Sequence, residues 1–337
     1  MSILANPLQS LKLTACIEQW PIAGSFKISR GSKTLAEVVT VKITDGNITG
    51  QGECVPYTRY NESLTTVLGD IEKAIPLLAA GNYTRQEILS GLQYAAARNA
   101  VDCALWDYLA KKHQIKITEL ANLAPLQTQI TAYTISLDTP ELMFQKTREA
   151  AEYELLKIKL GKDGDEERMS AVREAAPHAR LVADANEGWA PEKLPSLLAS
   201  AKQNGFELIE QPLPEGDDDA LSRIEHPIPI CADESCHNIF QLPELRKKYD
   251  AINIKLDKTG GIGEALNLAR EARKLDLRIM TGCMVGTSLA MAPALYLSEF
   301  ADWIDLDGPL LLSEDRTPGL TFEGSRIYPP EPALWGY

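Results

Sequence analysis

The stretch that decides the fold runs from residue 155 to residue 257. It holds five short apolar segments: LLKIKLG (155–161), ARLVADAN (179–186), FELIEQP (206–212), PIPICADE (227–234) and DAINIKLD (250–257). Each has the length and aliphatic content of a buried strand, and helix-like sequence separates one segment from the next. A strand followed by a helix at this pitch is typical of parallel βαβ units.

Three more segments of the same kind lie on either side of this stretch: QITAYTIS (129–136), LRIMTGC (277–283) and DWIDLDG (302–308). Eight strands that alternate with helices predict a closed (β/α) barrel, whose active site lies at the C-terminal ends of its strands. An open doubly wound sheet is the alternative. The count of eight, and the lack of a G-x-G-x-x-G turn after the first strand, favour the barrel.

The sequence before residue 128 has a different texture, which predicts a mixed α+β unit. Strand-like and helix-like patterns alternate there, with strands at 10–17, 35–43 and 49–54 and helices at 62–79 and 94–112. A turn signal at 45–47 predicts a hairpin between the second and third strands. We therefore expect an N-terminal domain over residues 1–126 and a barrel over residues 127–310.

The composition excludes several classes of partner. The net charge is -13, with 47 acidic against 34 basic residues, and such a surface repels nucleic acid and anionic membranes. No apolar run approaches the roughly 20 residues that span a bilayer, and the first residues lack the features of a signal peptide. The cysteines form no C-x-x-C pair and the histidines show no ligand spacing. We therefore expect reduced thiols, a cytoplasmic location and no zinc site.

Acidic residues stand at the ends of three successive strand segments, at Asp184, Glu210 and Asp233. Carboxylates that converge in a barrel mouth repel one another unless a cation joins them. Oxygen ligands alone select a hard ion, Mg²⁺ or Mn²⁺, over zinc. Three unrelated surface acids are the alternative, but their regular placement favours a metal site with one ion per subunit.

Two lysines, Lys159 and Lys255, end the second and sixth strand segments. These strands lie diametrically opposite in an eight-stranded barrel, so one lysine can take a proton from one face of a carbon and the other can return it. A divalent cation stabilises the enediolate that forms when a carbon next to a carboxylate loses its proton. A lysine base must be neutral, so we expect its pKa to be lowered. Lys157 can assist by its charge, although a solvated lysine is the alternative for that residue.

Five ordered motifs resemble the muconate-lactonizing-enzyme subgroup of the enolase superfamily: K-I-K-L (157–160), D-A-N (184–186), E-Q-P (210–212), A-D-E-S (232–235) and K-L-D-K-T-G-G (255–261). Within that subgroup, D-L-D at 305–307 and the stretches 52–63, 97–107 and 231–237 resemble the dipeptide epimerases of the L-Ala-D/L-Glu type. The resemblance covers the whole chain. The use of a lysine base with Mg²⁺ in this superfamily is a known pattern.

The resemblance implies a modified TIM barrel of the (β/α)7β type beneath an α+β capping domain, with residues 311–337 returning to that domain. It implies a Mg²⁺-dependent isomerase that moves a proton at the α-carbon of the C-terminal residue of a dipeptide. The implied roles are metal binding by Asp184, Glu210 and Asp233, acid/base catalysis by Lys159 and Lys255, and binding of the substrate's α-ammonium group by Asp305 and Asp307. Asn186 would then lie in the wall of the site or behind a metal ligand.

Specificity rests on less sequence. A dipeptide has an ammonium group at one end, and two carboxylates on the last strand would fix that end; a plain acidic turn at 305–307 is the alternative. The loops at 22–34 and 54–62 should cover the mouth, as in relatives that read glutamate with a first-loop arginine. Either Arg30 or Lys33 matches that position. A lysine would weaken a strict preference for glutamate, because it is a point charge and not a bidentate fork.

Several rivals remain. Other members of the subgroup, namely N-acylamino-acid racemase, o-succinylbenzoate synthase and muconate cycloisomerase, act on substrates with no free ammonium group, so the D-L-D argues against them. A Schiff-base aldolase with Lys255 as nucleophile leaves three carboxylates unexplained, and a metal-binding protein without activity leaves the opposed lysines unexplained. The second residue of the dipeptide, the physiological pathway and the oligomeric state, including a homo-oligomer, stay open.

Overall fold

A three-stranded antiparallel sheet opens the chain. The structure is a computed structural model that describes residues 3–337, and the sheet consists of β1 (Lys12–Ile28), β2 (Gly31–Thr44) and β3 (Thr49–Cys54). β2 pairs with both neighbours. In the turn between β2 and β3, the side chain of Asp45 accepts hydrogen bonds from the backbone N–H groups of Asn47 and Ile48. The predicted hairpin is therefore confirmed.

Five helices follow this sheet: α1 (Leu64–Glu72), α2 (Ala74–Ala80), α3 (Arg85–Ser90), α4 (Ala95–His113) and α5 (Ile117–Ala121). Of these, α1, α2 and α4 pack against the sheet, while α3 and α5 contact α4. The single helix predicted over 62–79 is two, because Pro76 has no N–H to continue the helical ladder. The predicted helix at 94–112 is α4, which is buried over most of its length. It lies so close to β3 that a side chain at Gly52 would meet the carbonyl oxygen of Ala100 at 2.1 Å.

Eight parallel strands form the second sheet, after the short strand β4 (Gln129–Ile130). They are β5 (Tyr133–Ile135), β6 (Leu155–Lys159), β7 (Arg180–Asp184), β8 (Phe206–Glu210), β9 (Ile230–Ala232), β10 (Ala251–Ile254), β11 (Arg278–Gly282) and β12 (Trp303–Asp305), paired in that order. A parallel bridge between Thr131 and Ile304 brings the first strand region to the last, and the N–H of Ala132 donates to the Ile304 carbonyl at 2.8 Å. The predicted barrel is confirmed.

The outer layer of the barrel is less regular than predicted. Its helices are α6 (Pro140–Glu149), α7 (Asp165–Ala175), α8 (Leu194–Gln203), α9 (Leu242–Leu245), α10 (Leu256–Thr259), α11 (Ile262–Lys274) and α12 (Ser288–Ala294). Short 3-10 helices lie at Ile3–Ala5, Thr58–Tyr60, Pro191–Lys193, Asp219–Arg223, Ile239–Gln241, Leu295–Phe300 and Gly308–Leu311. Only a 3-10 helix follows the last barrel strand, β12, which agrees with a (β/α)7β barrel. A 3-10 helix also takes the place of the α-helix expected after β8.

The interior of the barrel divides into an apolar and a polar half. Because side chains alternate along a strand, one inward row runs from Leu155 through Lys157 to Lys159. The apolar members of these rows form one buried cluster: Ala132, Leu155, Val182, Leu208, Cys231, Ala251, Met280 and Trp303. This cluster fills the N-terminal end, so the polar side chains that follow it collect at the C-terminal end.

The last residues of the chain return to the first sheet. After β13 (Phe322–Glu323) and β14 (Arg326–Ile327), which pair with each other and with β4, the indole N–H of Trp335 donates to the carbonyl of Gln51 at 3.0 Å. The division at residues 126 and 310 stays a prediction about folding units. In the part of the chain from residue 3 to residue 337, no helix combines the length and apolar character needed to cross a membrane.

Candidate active site

The polar end of the barrel opens into a cavity of about 560 Å³ beneath the β1–β2 hairpin. The ends of the barrel strands line its floor and the hairpin lines its roof. Eight of the eleven residues predicted for the site line this cavity: Arg30, Lys33, Lys157, Lys159, Asn186, Lys255, Asp305 and Asp307. Asp233 lies behind this lining, in contact with Lys255. Asp184 and Glu210 lie directly behind Lys157.

Three buried carboxylates form the floor. Asp184 and Glu210 end β7 and β8, and Asp233 follows β9; each offers an oxygen within 4.8 Å of the others. The Oε2 atom of Glu210 is buried and accepts no hydrogen bond from any residue that the structure describes. Convergent carboxylate oxygens with spare acceptor capacity suit a hard cation, so these residues could hold a metal ion.

Two carboxyl groups of the acidic cluster, those of Glu210 and Asp184, have very different pKa values. Burial and the charge of Asp184 raise the pKa of Glu210 to about 7. Burial also raises the pKa of Asp184, but the ammonium groups of Lys159 and Lys157 outweigh it and bring that pKa to about 2. Like charges this close resist joint ionisation, which is the electrostatic condition that a multivalent cation relieves.

Two lysines flank this cluster from opposite walls. Lys159 ends β6, and its Nζ lies 2.7 Å from Asp184 Oδ2. Lys255 directly follows β10, and its Nζ lies 2.6 Å from Asp233 Oδ2. Three strands separate β6 from β10 around the barrel, so the two ammonium groups face each other across the carboxylates.

The electrostatics of Lys255 differ from the expectation for a lysine base. Burial lowers its pKa, but the carboxylates of Asp233 and Glu210 outweigh burial and hold the pKa well above its ordinary value. The prediction of a lowered pKa assumed a divalent cation on those same carboxylates. With the protein's own charges alone, the effect has the opposite sign.

Lys157 is a buried counter-ion, so the alternative of a solvated lysine is wrong. Only 2% of its side chain is exposed, and its Nζ lies 2.6 Å from Glu210 Oε2, 2.7 Å from Asp305 Oδ2 and 3.4 Å from Asp184 Oδ2. The contact with Glu210 is an ion pair, and Glu210 Oε2 accepts no hydrogen bond from the described residues. These contacts connect the acidic floor to the last strand.

The two aspartates of the last strand lie inside the cavity and not in an exposed turn. Asp305 ends β12, and its Oδ1 is buried without a partner among residues 3–337. Asp307 Oδ2 accepts the backbone N–H of Thr134 at 2.7 Å. Burial and the charge of Asp305 raise the pKa of Asp307 to about 7. A cationic group in the cavity would therefore meet one carboxylate oxygen, Asp305 Oδ1, that has no other partner in the described chain.

The roof presents two cations in different states. Arg30, at the tip of the hairpin, donates to Glu234 at 2.6 Å and to Glu187 and the carbonyl of Asn186, each at 2.9 Å. Lys33 lies with its Nζ 5.5 Å from the centre of the Tyr57 ring, and the described chain offers it neither a carboxylate nor a hydrogen-bond partner. Arg30 is thus engaged, while Lys33 is available.

Several residues that shape the site carried no assignment in the sequence analysis. Asn253 donates to Glu210 Oε1 at 2.6 Å, and the close approach of Asn253 to β11 requires a glycine at 282, where a Cβ would meet its Oδ1 at 2.4 Å. Asn186, by contrast, was expected in the wall of the site or behind a metal ligand, and its Nδ2 donates to Asp184 Oδ2 at 3.1 Å. Lys258 contacts Asp233. The inward alternation of β10 could have identified Asn253, and the motif K-L-D-K-T-G-G could have drawn attention to Lys258.

Comparison with known proteins agrees with this geometry. Residues 10–121 match the N-terminal domain of mandelate racemase / muconate lactonizing enzyme, and residues 143–332 match the enolase C-terminal domain-like family. The chain is 44% identical to L-Ala-D/L-Glu epimerase of Escherichia coli K12, over 92% of this chain and 97% of that protein. It is 42% identical to N-acetyl-D-glutamate racemase of a Pseudoalteromonas species, over 89% and 95%.

A solved structure is similar over almost the whole fold. It is an enolase family member from Agrobacterium tumefaciens with homology to dipeptide epimerases, bound to sodium and L-Ala-L-Glu. It superposes with a TM-score of 0.94 at 54% identity, covering 97% of this chain and all of that one. The predicted family is confirmed: with both domain models matched and with epimerases and racemases as its relatives, the chain belongs to the mandelate racemase and muconate lactonizing enzyme family of the enolase superfamily.

Proposed function

We propose that the protein is a dipeptide epimerase that inverts the α-carbon of the C-terminal residue of a dipeptide such as L-Ala-D/L-Glu. One observation carries the proposal: two lysines on opposite walls of one cavity face an acidic cluster, and a separate pair of aspartates lies on the last strand. The first group suits proton transfer at a carbon beside a carboxylate. The second suits a free ammonium group at a fixed distance from it.

Asp184, Glu210 and Asp233 would hold one Mg²⁺ ion per subunit, which Mn²⁺ could replace because both prefer oxygen ligands. When bound, the ion would stabilise negative charge that develops on the substrate carboxylate as the α-proton leaves. The lysines carry the proton. One of Lys159 and Lys255 removes it from one face, and the other delivers a proton to the opposite face.

The aspartates of the last strand orient the substrate. Asp305 Oδ1 has no partner in the described chain, and the hydrogen bond from the Thr134 backbone holds Asp307 in place. We infer that these two carboxylates bind the α-ammonium group of the dipeptide. A charged hydrogen bond in a buried site contributes on the order of 1.5–3 kcal/mol to binding. This contact therefore fixes the position of the substrate's α-carbon between the two lysines.

We assign recognition of the substrate's side-chain carboxylate to Lys33 and not to Arg30. Two carboxylates already occupy the guanidinium group of Arg30. Lys33 lines the cavity, and among residues 3–337 its ammonium group has only the ring of Tyr57 beside it. A single ammonium group attracts a carboxylate without bidentate geometry, so we expect acidic side chains to be preferred and neutral ones to be tolerated.

A second candidate is an N-acylamino-acid racemase, because N-acetyl-D-glutamate racemase is 42% identical. Its substrate has no ammonium group, so Asp305 Oδ1, which has no partner in the described chain, would face a neutral acyl group. A Schiff-base aldolase leaves the three carboxylates of the acidic cluster without a role, so it accounts for the site less well than the racemase does.

We also place the enzyme in the cytoplasm, since all six cysteines are free and free thiols suit a reducing compartment.

The test is to incubate the protein in D₂O with L-Ala-L-Glu and, separately, with N-acetyl-L-glutamate and N-acetyl-L-Ala-L-Glu. We expect one deuterium and the L,D isomer from the free dipeptide, and rates lower by roughly ten- to a hundredfold when the amine is acetylated. EDTA should abolish exchange and Mg²⁺ should restore it. Faster reaction of N-acetyl-glutamate would instead support the racemase, and full activity after chelation would reject the metal-dependent mechanism.

A further inference from the structure

A fourth lysine lies at the acidic floor and has no assigned role. Lys258 belongs to α10, the single helical turn that follows β10, and its side chain is fully buried. Its Nζ lies 2.6 Å from Asp233 Oδ1 and also donates to the main-chain oxygen of Asp233. A third hydrogen bond reaches the carbonyl of Asn253 at 3.1 Å. All three protons of the ammonium group are therefore used.

Asp233 thus binds two lysines, one on each carboxylate oxygen. Lys255 contacts Oδ2 at 2.6 Å and lines the cavity, whereas Lys258 contacts Oδ1 and does not line the cavity. The two lysines belong to the same short motif but approach the carboxylate from different sides. Only Lys255 can reach a substrate from its position.

A lysine that exchanges protons with a substrate must release its own ion pair during the reaction. When Lys255 releases Oδ2, Asp233 would keep no side-chain partner on its carboxylate if Lys258 were absent. Without a protein donor on either oxygen, nothing behind the carboxylate would fix the orientation in which it faces a metal ion. Lys258 prevents this, because it holds both the carboxylate and the main chain of the same residue.

We propose that Lys258 is a positioning residue, which holds Asp233 from behind so that this carboxylate keeps its orientation as a metal ligand while Lys255 acts on the substrate. The inference rests on the proposed function for the role of Lys255, but its claim about Asp233 concerns cation binding alone. The hydrogen-bonding partners behind metal ligands typically account for ten- to a hundredfold in metal affinity.

The alternative is that Lys258 only balances charge, and the two roles predict opposite effects. Removing a positive charge beside a cation site should strengthen Mg²⁺ binding if charge balance is the only role. Removing the group that orients a ligand should weaken it. Lys258→Met keeps much of the length of the side chain and removes its charge and its hydrogen bonds. Lys255→Met removes the same charge from the same carboxylate and is therefore the matched control.

The experiment is calorimetric titration of Mg²⁺ into the full-length wild-type protein and both variants, without any dipeptide. We expect Lys258→Met to weaken binding by about ten- to a hundredfold, and Lys255→Met to leave it unchanged or to strengthen it. Lys258→Gln, which keeps a donor but no charge, should restore part of the loss. Equal or tighter binding by Lys258→Met, or no restoration by Lys258→Gln, would overturn the proposal.

Three further outcomes are separated by the same data. If Lys258→Met does not fold, Lys258→Gln alone decides, since charge balance predicts tighter Mg²⁺ binding and positioning predicts weaker binding. If the wild-type protein binds no Mg²⁺, the metal-dependent function fails together with this inference. If the wild-type protein binds Mg²⁺ and epimerises dipeptides while Lys258→Met binds Mg²⁺ normally, only the role of Lys258 is rejected.

Discussion

Lys159 and Lys255 approach the acidic floor from opposite walls, so each should serve one face of the substrate α-carbon. Removing either lysine should abolish epimerisation, because the proton must leave on one side and arrive on the other. Exchange without inversion should survive with the remaining lysine. We expect Lys159→Ala and Lys255→Ala to exchange opposite stereoisomers of Ala-Glu with solvent deuterium, which NMR of each isomer in D₂O can measure.

The distribution of exchange between the two variants decides the assignment. Exchange of the same isomer by both variants would contradict the two-base mechanism. Near-native epimerisation by either one would show that its lysine is not an acid or base. Each substitution removes an ion pair from a buried carboxylate, so the fraction of folded protein must be measured as well. Circular dichroism of both variants measures that fraction and separates a folding defect from a loss of catalysis.

The expected preference for a substrate with an acidic side chain can be tested at Lys33. Lys33→Met should raise the KM for L-Ala-L-Glu by roughly tenfold, the loss expected for one charge-assisted contact, and should leave a neutral dipeptide such as L-Ala-L-Leu unaffected. Lys27→Met is the matched control and should change neither value, because Lys27 lies on the same hairpin, is half-exposed beside Asp138 and does not line the cavity. Steady-state kinetics on both dipeptides measure the difference. An equal rise for both dipeptides would remove Lys33 as the reader of the side chain.

The sequence predicted which residues come together at the cavity better than it predicted the contacts that those residues make. Asp184, Glu210 and Asp233 recur once per strand–helix unit, and residues at such regular positions can be predicted without knowledge of their contacts. The pairing of Arg30 with Glu234 joins residues far apart in the chain, and no local pattern records it. For the same reason, the motif K-L-D-K-T-G-G contains Lys258 but does not indicate which residues Lys258 contacts.

At the scale of elements, the β1–β2 hairpin is the main departure from expectation. Residues 22–34 were predicted as a loop over the cavity, and they are the ends of two paired strands. Pro21 and Gly24 weaken the strand pattern, and the register shifts between Pro21 and Phe26. Beyond that irregularity, pairing resumes as far as Gly31. Local residue preferences predict that the strands end at this irregularity, but the antiparallel pairing of β1 and β2 continues beyond it.

Arg30 ties the tip of this hairpin to the barrel through Glu187, Glu234 and the Asn186 carbonyl. Arg30→Met should therefore loosen the hairpin without unfolding the barrel. We expect faster hydrogen exchange of the backbone amides in residues 22–34 and a raised KM for every dipeptide, whatever its side chain. Mass spectrometry of peptic fragments measures the exchange, with Lys27→Met as control. Unchanged protection in this segment would show that strand pairing alone holds the hairpin.

At the scale of the whole molecule, the barrel was predictable and its contact with the first domain was not. Eight buried parallel strands leave a repeated apolar pattern in the sequence, but the residues that join two domains follow no period. Asp257 illustrates this. It lies two residues after Lys255, yet its Oδ1 accepts the backbone N–H of Val55 at 3.1 Å and the amide of Asn99 at 2.8 Å. It is a contact to the first domain and does not line the cavity.

This contact makes the stability of the molecule depend on pH. Burial raises the pKa of Asp257 to about 7, despite the hydrogen bonds from Asn99 and Val55, and the charges of Glu62 and Glu53 add to the effect. In the unfolded chain the same carboxyl has a pKa of about 3.9. Between these values the folded state holds a proton that the unfolded state releases, so this group lowers the free energy of unfolding as pH rises from about 4 to 7.

Asp257→Asn should remove that dependence, because asparagine keeps the oxygen that accepts both hydrogen bonds and carries no charge. The variant should be more stable than the wild-type protein at pH 8, and its advantage should be smaller at pH 5 by roughly 2 kcal/mol. Urea unfolding at the two pH values measures this, with the exposed Asp217→Asn as the control. An advantage that is the same at both values, or that grows as pH falls, would show that Asp257 is ionised in the folded protein and that the contact between the domains depends on its charge.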